Sequence, residues 1–265
     1  MRRLTSFPCA GETLFATLDE APGATGLLIV SGGNEIRMGA HRGMATLAAR
    51  LAEAGVPVFR YDRRGVGDST GANPGFEASA QDIAAAAATF AAEVPGMRRI
   101  LAFGNCDAAT ALALFHSAAS IDALVLANPW VIEAADDLPP AAAIRARYAE
   151  RLRDPKEWLR LMRGGVNLLK LVKGLLKAFR KAPQAPASLA ARLAEALGSA
   201  DVPVTLLVAR GDNTAIAFLD AWKSSAFDAA RSRVTLVERD TASHSFAGVE
   251  DKDWLFERVR EAVSG

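Results

Sequence analysis

The stretch that most constrains this chain is residues 98–113, RRILAFGNCDAATALA. An apolar run, Ile100-Leu101-Ala102-Phe103, reads as a buried strand that stops at Gly104-Asn105-Cys106-Asp107-Ala108, and residues of high helix propensity follow at once. A strand that passes into a helix through so tight a turn strains the residue at the tip and projects its side chain beyond the carboxyl end of the sheet. Small residues two positions to either side leave it room. Cys106 holds the tip, between Gly104 and Ala108. A cysteine ordinarily packs as a small hydrophobe. Here it stands where G-x-S-x-G turns place a nucleophilic serine, at the amino end of a helix whose positive pole favours a thiolate.

The remaining pattern supplies the sheet such a turn needs. Two short antiparallel strands are expected at 4–7 and 13–17, then buried strands at 26–30, 57–61, 123–127, 204–209 and 234–237. Helical spacing is read at 41–54, 79–93, from Cys106 to about residues 116–117, and at 251–263. Strands alternating with helices imply an α/β fold with a mostly parallel sheet covered on both faces. Residues 1–130 and 201–265 form the expected core. Residues 131–200, with no legible strand, form an expected helical insert.

Composition bounds the function. With 265 residues, 51% of them hydrophobic, the chain can bury a large core as one domain with an inserted subdomain. Cys9 and Cys106, the two cysteines, make no disulfide framework and suit a reducing compartment. The basic residues near the amino terminus precede no apolar run of signal-peptide type, and no run of ~18 apolar residues could span a bilayer. The expected location is therefore cytoplasmic. No His, Cys or carboxylate cluster has metal-ligand spacing, and no phosphate-binding loop follows the first buried strand, so no metal or nucleotide cofactor is expected.

Taken together, Gly104-Asn105-Cys106-Asp107-Ala108, Gly32-Gly33 after the third strand, Asp62-Arg63-Arg64-Gly65-Val66-Gly67-Asp68-Ser69 after the fourth, Asp212 after a late strand and His244 near the end resemble the α/β-hydrolase fold over nearly the whole length. More narrowly, the chain resembles the exosortase A system-associated hydrolases of type 1. The residues that carry this likeness are Arg37 with Gly39-Ala40-His41-Arg42, the Cys106-Asp107-Ala108 turn, Asn128-Pro129-Trp130 and Arg163-Gly164-Gly165-Val166-Asn167-Leu168. The resemblance implies a link to exopolysaccharide and protein-sorting systems.

It also implies roles. Cys106 would be the nucleophile where serine is usual, His244 the base, and Asp212 the acid that orients it. The alternative for Asp212 is an ordinary cap of the helix after it, and His116 reads as structural. The oxyanion hole would combine backbone N–H groups of Asp107 and Gly33, with Asn34 as a further donor. Arg37, His41 and Trp130 are candidates for lining the substrate site. Gly67-Asp68-Ser69-Thr70-Gly71 also fits G-x-S-x-G, but Gly71, Asn73, Pro74 and Gly75 follow, no helix starts there, and Ser69 is expected to fix its loop. The expected activity is hydrolysis of a small-molecule ester or thioester, or acyl transfer from it, through an acyl-cysteine.

Charge is uneven. Residues 145–181 carry twelve basic residues against three acidic ones, +9, in a chain of net charge +1. Within that segment Leu168, Leu169, Leu171, Val172, Leu175, Leu176 and Phe179 recur at helical spacing opposite Lys170, Lys173, Lys177, Arg180 and Lys181. Three readings stay open: a lid over an acyl pocket, a helix at 166–181 lying on an anionic membrane surface, and a protein-docking face. Few aromatics and no recognised module argue against nucleic acid. The rival to an enzyme is an idle scaffold that binds a membrane or a partner through this insert.

Overall fold

A computed structural model describes residues 1–133 and 188–265. Eight strands form one sheet: β1 (Arg2–Cys9), β2 (Glu12–Asp19), β3 (Thr25–Val30), β4 (Val58–Tyr61), β5 (Arg99–Asn105), β6 (Ala123–Ala127), β7 (Val204–Ala209) and β8 (Thr235–Arg239). Their order across the sheet is β1-β2-β4-β3-β5-β6-β7-β8, with β2 antiparallel to both neighbours and every other pairing parallel.

The first two strands are longer than the apolar pattern alone indicates. Arg2, Arg3 and Glu12 stay in register because β1 alternates outward and inward residues, and Ala10 and Gly11, at φ 52° and 85°, make the two-residue turn that matches strand twist. β3 is apolar on both faces. Its even positions, Leu28 and Val30, join one core with Phe59, Phe90, Leu112, Leu124 and Leu206, and its odd positions, Leu27 and Ile29, join the other with Val58, Leu101, Phe103 and Leu207.

Helices cover both faces: α1 (Gly43–Glu53), α2 (Ala80–Glu93), α3 (Asp107–Phe115), α4 (Leu189–Ser199), α5 (Asn213–Trp222), the single turn α6 (Asp228–Arg231) and α7 (Val249–Ser264). α1 starts later than the sequence spacing indicates, because His41 and Arg42 sit at φ 51° and 59° in a preceding short turn. α4 falls inside the 131–200 stretch expected as an insert, yet Leu193 and Leu197 are fully buried in the first core. The amphipathic segment at 166–181 lies outside the described residues. No described helix is long and apolar enough to cross a membrane.

Topology fixes where a ligand can enter. From β3 the chain runs outward to β4, then returns past β3 to β5. Such a reversal opens a crevice at the carboxyl ends of the two diverging strands. The segments leaving β3 and β5 are those that carry Gly32-Gly33 and Cys106.

Candidate active site

Cys106 is built into its place by the backbone. It sits at φ 63°, ψ −128°, a conformation that costs a non-glycine residue about 1–3 kcal/mol. Surrounding bonds hold it: its N–H donates to the Ala127 carbonyl at 2.9 Å, and its own carbonyl accepts from Ala109 N at 3.1 Å and Trp130 N at 3.2 Å. Glycine is required at position 104, since a Cβ there would lie 2.8 Å from the backbone carbon of Ala108. The thiol is partly exposed and free.

His244 and Asp212 converge on it from two other loops. Asp212 Oδ2 lies 2.9 Å from His244 Nδ1, and Cys106 is near enough to influence the ring's protonation. The carboxylate first, and the sulfur second, stabilise the protonated ring and raise the imidazole from 6.5 to about 10 against the opposing effect of burial. Both sequence readings of Asp212 hold at once. The same Oδ2 accepts from Thr214 N and Ala215 N, each at 3.1 Å, and so caps α5.

The two loops are fitted to each other. Gly211 N donates to the Thr241 carbonyl at 2.9 Å, and a Cβ on Gly211 would lie 3.1 Å from Ala242. Phe246, 1% exposed, stacks on Trp254 with ring centroids 5.5 Å apart, and Thr241 Oγ1 donates to Asp251 at 2.7 Å. These contacts tie the His244 loop to α7.

Sequence reasoning missed the residue that joins the parts. Asn128 is fully buried at φ 43°. Its Nδ2 donates to the His244 carbonyl at 3.0 Å and to Asn105 Oδ1 at 3.2 Å, and its Oδ1 accepts from Ala209 N at 2.8 Å. Asn105 Nδ2 donates to the same His244 carbonyl at 3.1 Å. One amide thus ties the ends of β5 and β7 to the histidine loop. The signal available was an asparagine directly after a buried strand, in the αL-tolerant class of residues.

The expected oxyanion donors differ among themselves. The N–H groups of Asp107 and Asn34 make no hydrogen bond to a described residue. That of Gly33 is taken: it donates to the Asp107 side-chain Oδ1 at 2.7 Å. Gly32 packs beside the turn, where a Cβ would lie 2.5 Å from the Asn105 carbonyl. The Asn34 side chain accepts from Asn73 at 2.9 Å.

Of the three candidate lining residues, Trp130 is at the site, its N–H bonded to Cys106 and its carbonyl accepting from Thr110 Oγ1 at 2.7 Å. Arg37 is bound within the protein. Its guanidinium is committed to the buried Asp62, to Asp68 at 3.0 Å and to Thr17 at 3.1 Å, and it borders a surface groove with Leu4 and Phe15 beside β1 and β2. Its charge is spent on clamping the loop after β4. His41 is exposed, in the turn before α1, with no bond to a described residue. Ser69 fixes its loop: Oγ donates to the Asp62 carbonyl at 2.7 Å and accepts from Phe15 N at 3.0 Å. His116 is buried, with Nδ1 3.1 Å from the Ala113 carbonyl. Among the described residues no group of three His, Cys, Asp or Glu side chains could hold a metal ion.

Solved structures share this architecture. An esterase of Pyrococcus furiosus superposes with a TM-score of 0.66 at 16% identity, over 98% of this chain and 92% of its own. The thioesterase domain from the curacin biosynthetic pathway gives 0.60 at 13% over 98% and 99%, and a proline iminopeptidase of Mycobacterium smegmatis gives 0.61 at 15% over 99% and 98%. A search of curated proteins finds no significant sequence match. The model of the alpha/beta hydrolase family matches residues 27–258, and with the sheet order and the strand-turn-helix at Cys106, this places the chain in that family.

Proposed function

We propose that the protein is an esterase or thioesterase, or an acyltransferase on the same substrates, that works through Cys106, His244 and Asp212 and an acyl-cysteine intermediate. The observation that carries this reading is the His244 ring, hydrogen-bonded through Nδ1 to Asp212, with Cys106 the next group that favours its protonated form. His244, whose protonated form its partners favour, takes the thiol proton as general base and so generates the thiolate.

The Cys106 thiolate attacks the acyl carbon, and negative charge develops on the carbonyl oxygen. Backbone N–H groups of Asp107, Gly33 and Asn34 receive it; one such donor is worth about 3–4 kcal/mol in the transition state. His244 gives its proton to the departing alcohol or thiol, leaving the acyl group on sulfur. The neutral ring then takes a proton from water, or from an acceptor alcohol, as that oxygen attacks the thioester. Asp212 keeps Nδ1 as the donor and Nε2 toward the sulfur throughout. The likeness at Cys106-Asp107-Ala108 and Asn128-Pro129-Trp130 supports a place among the exosortase A system-associated hydrolases of type 1, and free cysteines support a cytoplasmic setting.

Incubation with p-nitrophenyl esters and acyl-CoAs of short and long chain tests this by intact mass. An acyl adduct is expected on the wild type and absent from Cys106→Ala. No turnover and no adduct across the panel would leave the chain as a scaffold.

A further inference from the structure

The carboxylate beside the nucleophile occupies one of the oxyanion donors. Asp107 Oδ1 lies 2.7 Å from Gly33 N, so a full negative charge stands where the reading above needs the developing oxyanion. Two anions cannot share one N–H, so acylation through Gly33 requires this carboxylate to leave it.

A second partner for it stands close by. Arg63 is buried, 3% exposed, and its Nη2 donates to the Gly33 carbonyl and stands 3.7 Å from Asp107 Oδ2, too far for a hydrogen bond. Two further N–H groups of the same guanidinium, Nε and Nη1, are buried without a hydrogen-bond partner among the described residues. Buried donors left unpaired are rare, and an arginine fork matches a carboxylate in a two-bond geometry. The pull toward Arg63 and the two unpaired nitrogens come from the same side chain that braces the Gly32-Gly33 turn.

We propose that Asp107 is a positioning residue that keeps the Gly33 donor closed at rest and releases it by shifting its carboxylate onto Arg63. This rests on the acyl-cysteine reading and adds a condition to it. A substrate carbonyl must compete with an internal carboxylate for Gly33, so acyl carbons electrophilic enough to build oxyanion charge early, thioesters and activated esters, are favoured over simple alkyl esters.

The test compares two reactions of Cys106 in the intact protein. Acylation by p-nitrophenyl acetate builds an oxyanion, whereas alkylation by iodoacetamide builds none at that donor, so the ratio of the two rates cancels thiol reactivity. Asp107→Ala is expected to raise the ratio at least tenfold. Arg63→Lys, which keeps the charge and removes the fork, is expected to lower it severalfold. An unchanged or lower ratio in Asp107→Ala, or an unchanged or higher one in Arg63→Lys, overturns the proposal. Acylation of neither wild type nor Asp107→Ala, with alkylation intact, overturns the acyl-cysteine reading itself, whereas acylation of the wild type with a lowered ratio in Asp107→Ala overturns only the role of Asp107.

Discussion

At the scale of single residues, Asp212 does two jobs with one oxygen, and substitution separates them. Asn caps a helix about as well as Asp, so Asp212→Asn is expected to keep the cap and to lower the thermal midpoint only by the share of the charge pair with His244. Losing the charge that holds the imidazolium lowers the ring's pKa from about 10 toward 6.5. Turnover is expected to fall by ~10²–10⁴-fold, in line with the loss seen when an orienting carboxylate becomes an amide. Asp212→Ala loses the cap as well and costs about 1 kcal/mol in chemical denaturation. A pH profile of turnover checks the same contact: the wild-type alkaline limb is expected near pH 10, moving down in Asp212→Asn. The sign for stability follows from a raised folded-state value. The pair favours folding fully below pH 6.5 and loses that contribution as pH climbs through about 10, muted by a ring that is 37% exposed.

At the scale of elements, the strand-turn-helix at Cys106 was legible because every signal in it is local: an apolar run, a small residue on each side of the tip, and helix formers after it. β6 was legible to the residue for the same reason, as Asn128 breaks the strand. Arg63, Asn105 and Asn128 were not read as parts of the site, because their partners come from 23 to 139 residues away and no local pattern marks a side chain that reaches across the sheet. The partners of Arg37 were hidden for a related reason. An arginine near a glycine-rich turn looks available for an anion until the fold brings the fully buried Asp62 to it. The element-scale prediction concerns the packing of β5 on α3. Gly104→Ala forces a methyl to within 2.8 Å of the Ala108 backbone and 2.9 Å of Leu112 Cδ1. Relief requires α3 to shift, so a loss of ~1–3 kcal/mol in urea denaturation is expected, with slower iodoacetamide labelling of Cys106.

For the whole molecule, composition and alternation gave the α/β class, and the antiparallel start was visible at its apolar centre. The extent of the core was harder to see. α4 lies at the end of the stretch with no legible strand, yet Leu193 and Leu197 are buried under α3. Leu193→Ala is expected to cost 2–5 kcal/mol, as for other fully buried leucines, measured by denaturant midpoint at unchanged slope. A helix lying over an insert would lose far less.

The clasp at Asn128 bears on how the proposed thiol–imidazole pair would be assembled. Its three partners are drawn from the middle, the late and the final parts of the chain, so no amino-terminal fragment can assemble it. Until the last loop has docked, the ring has no seat and the thiol remains an ordinary cysteine. A chain truncated before the His244 loop therefore lacks the clasp, and under the acyl-cysteine proposal its Cys106 lacks a base.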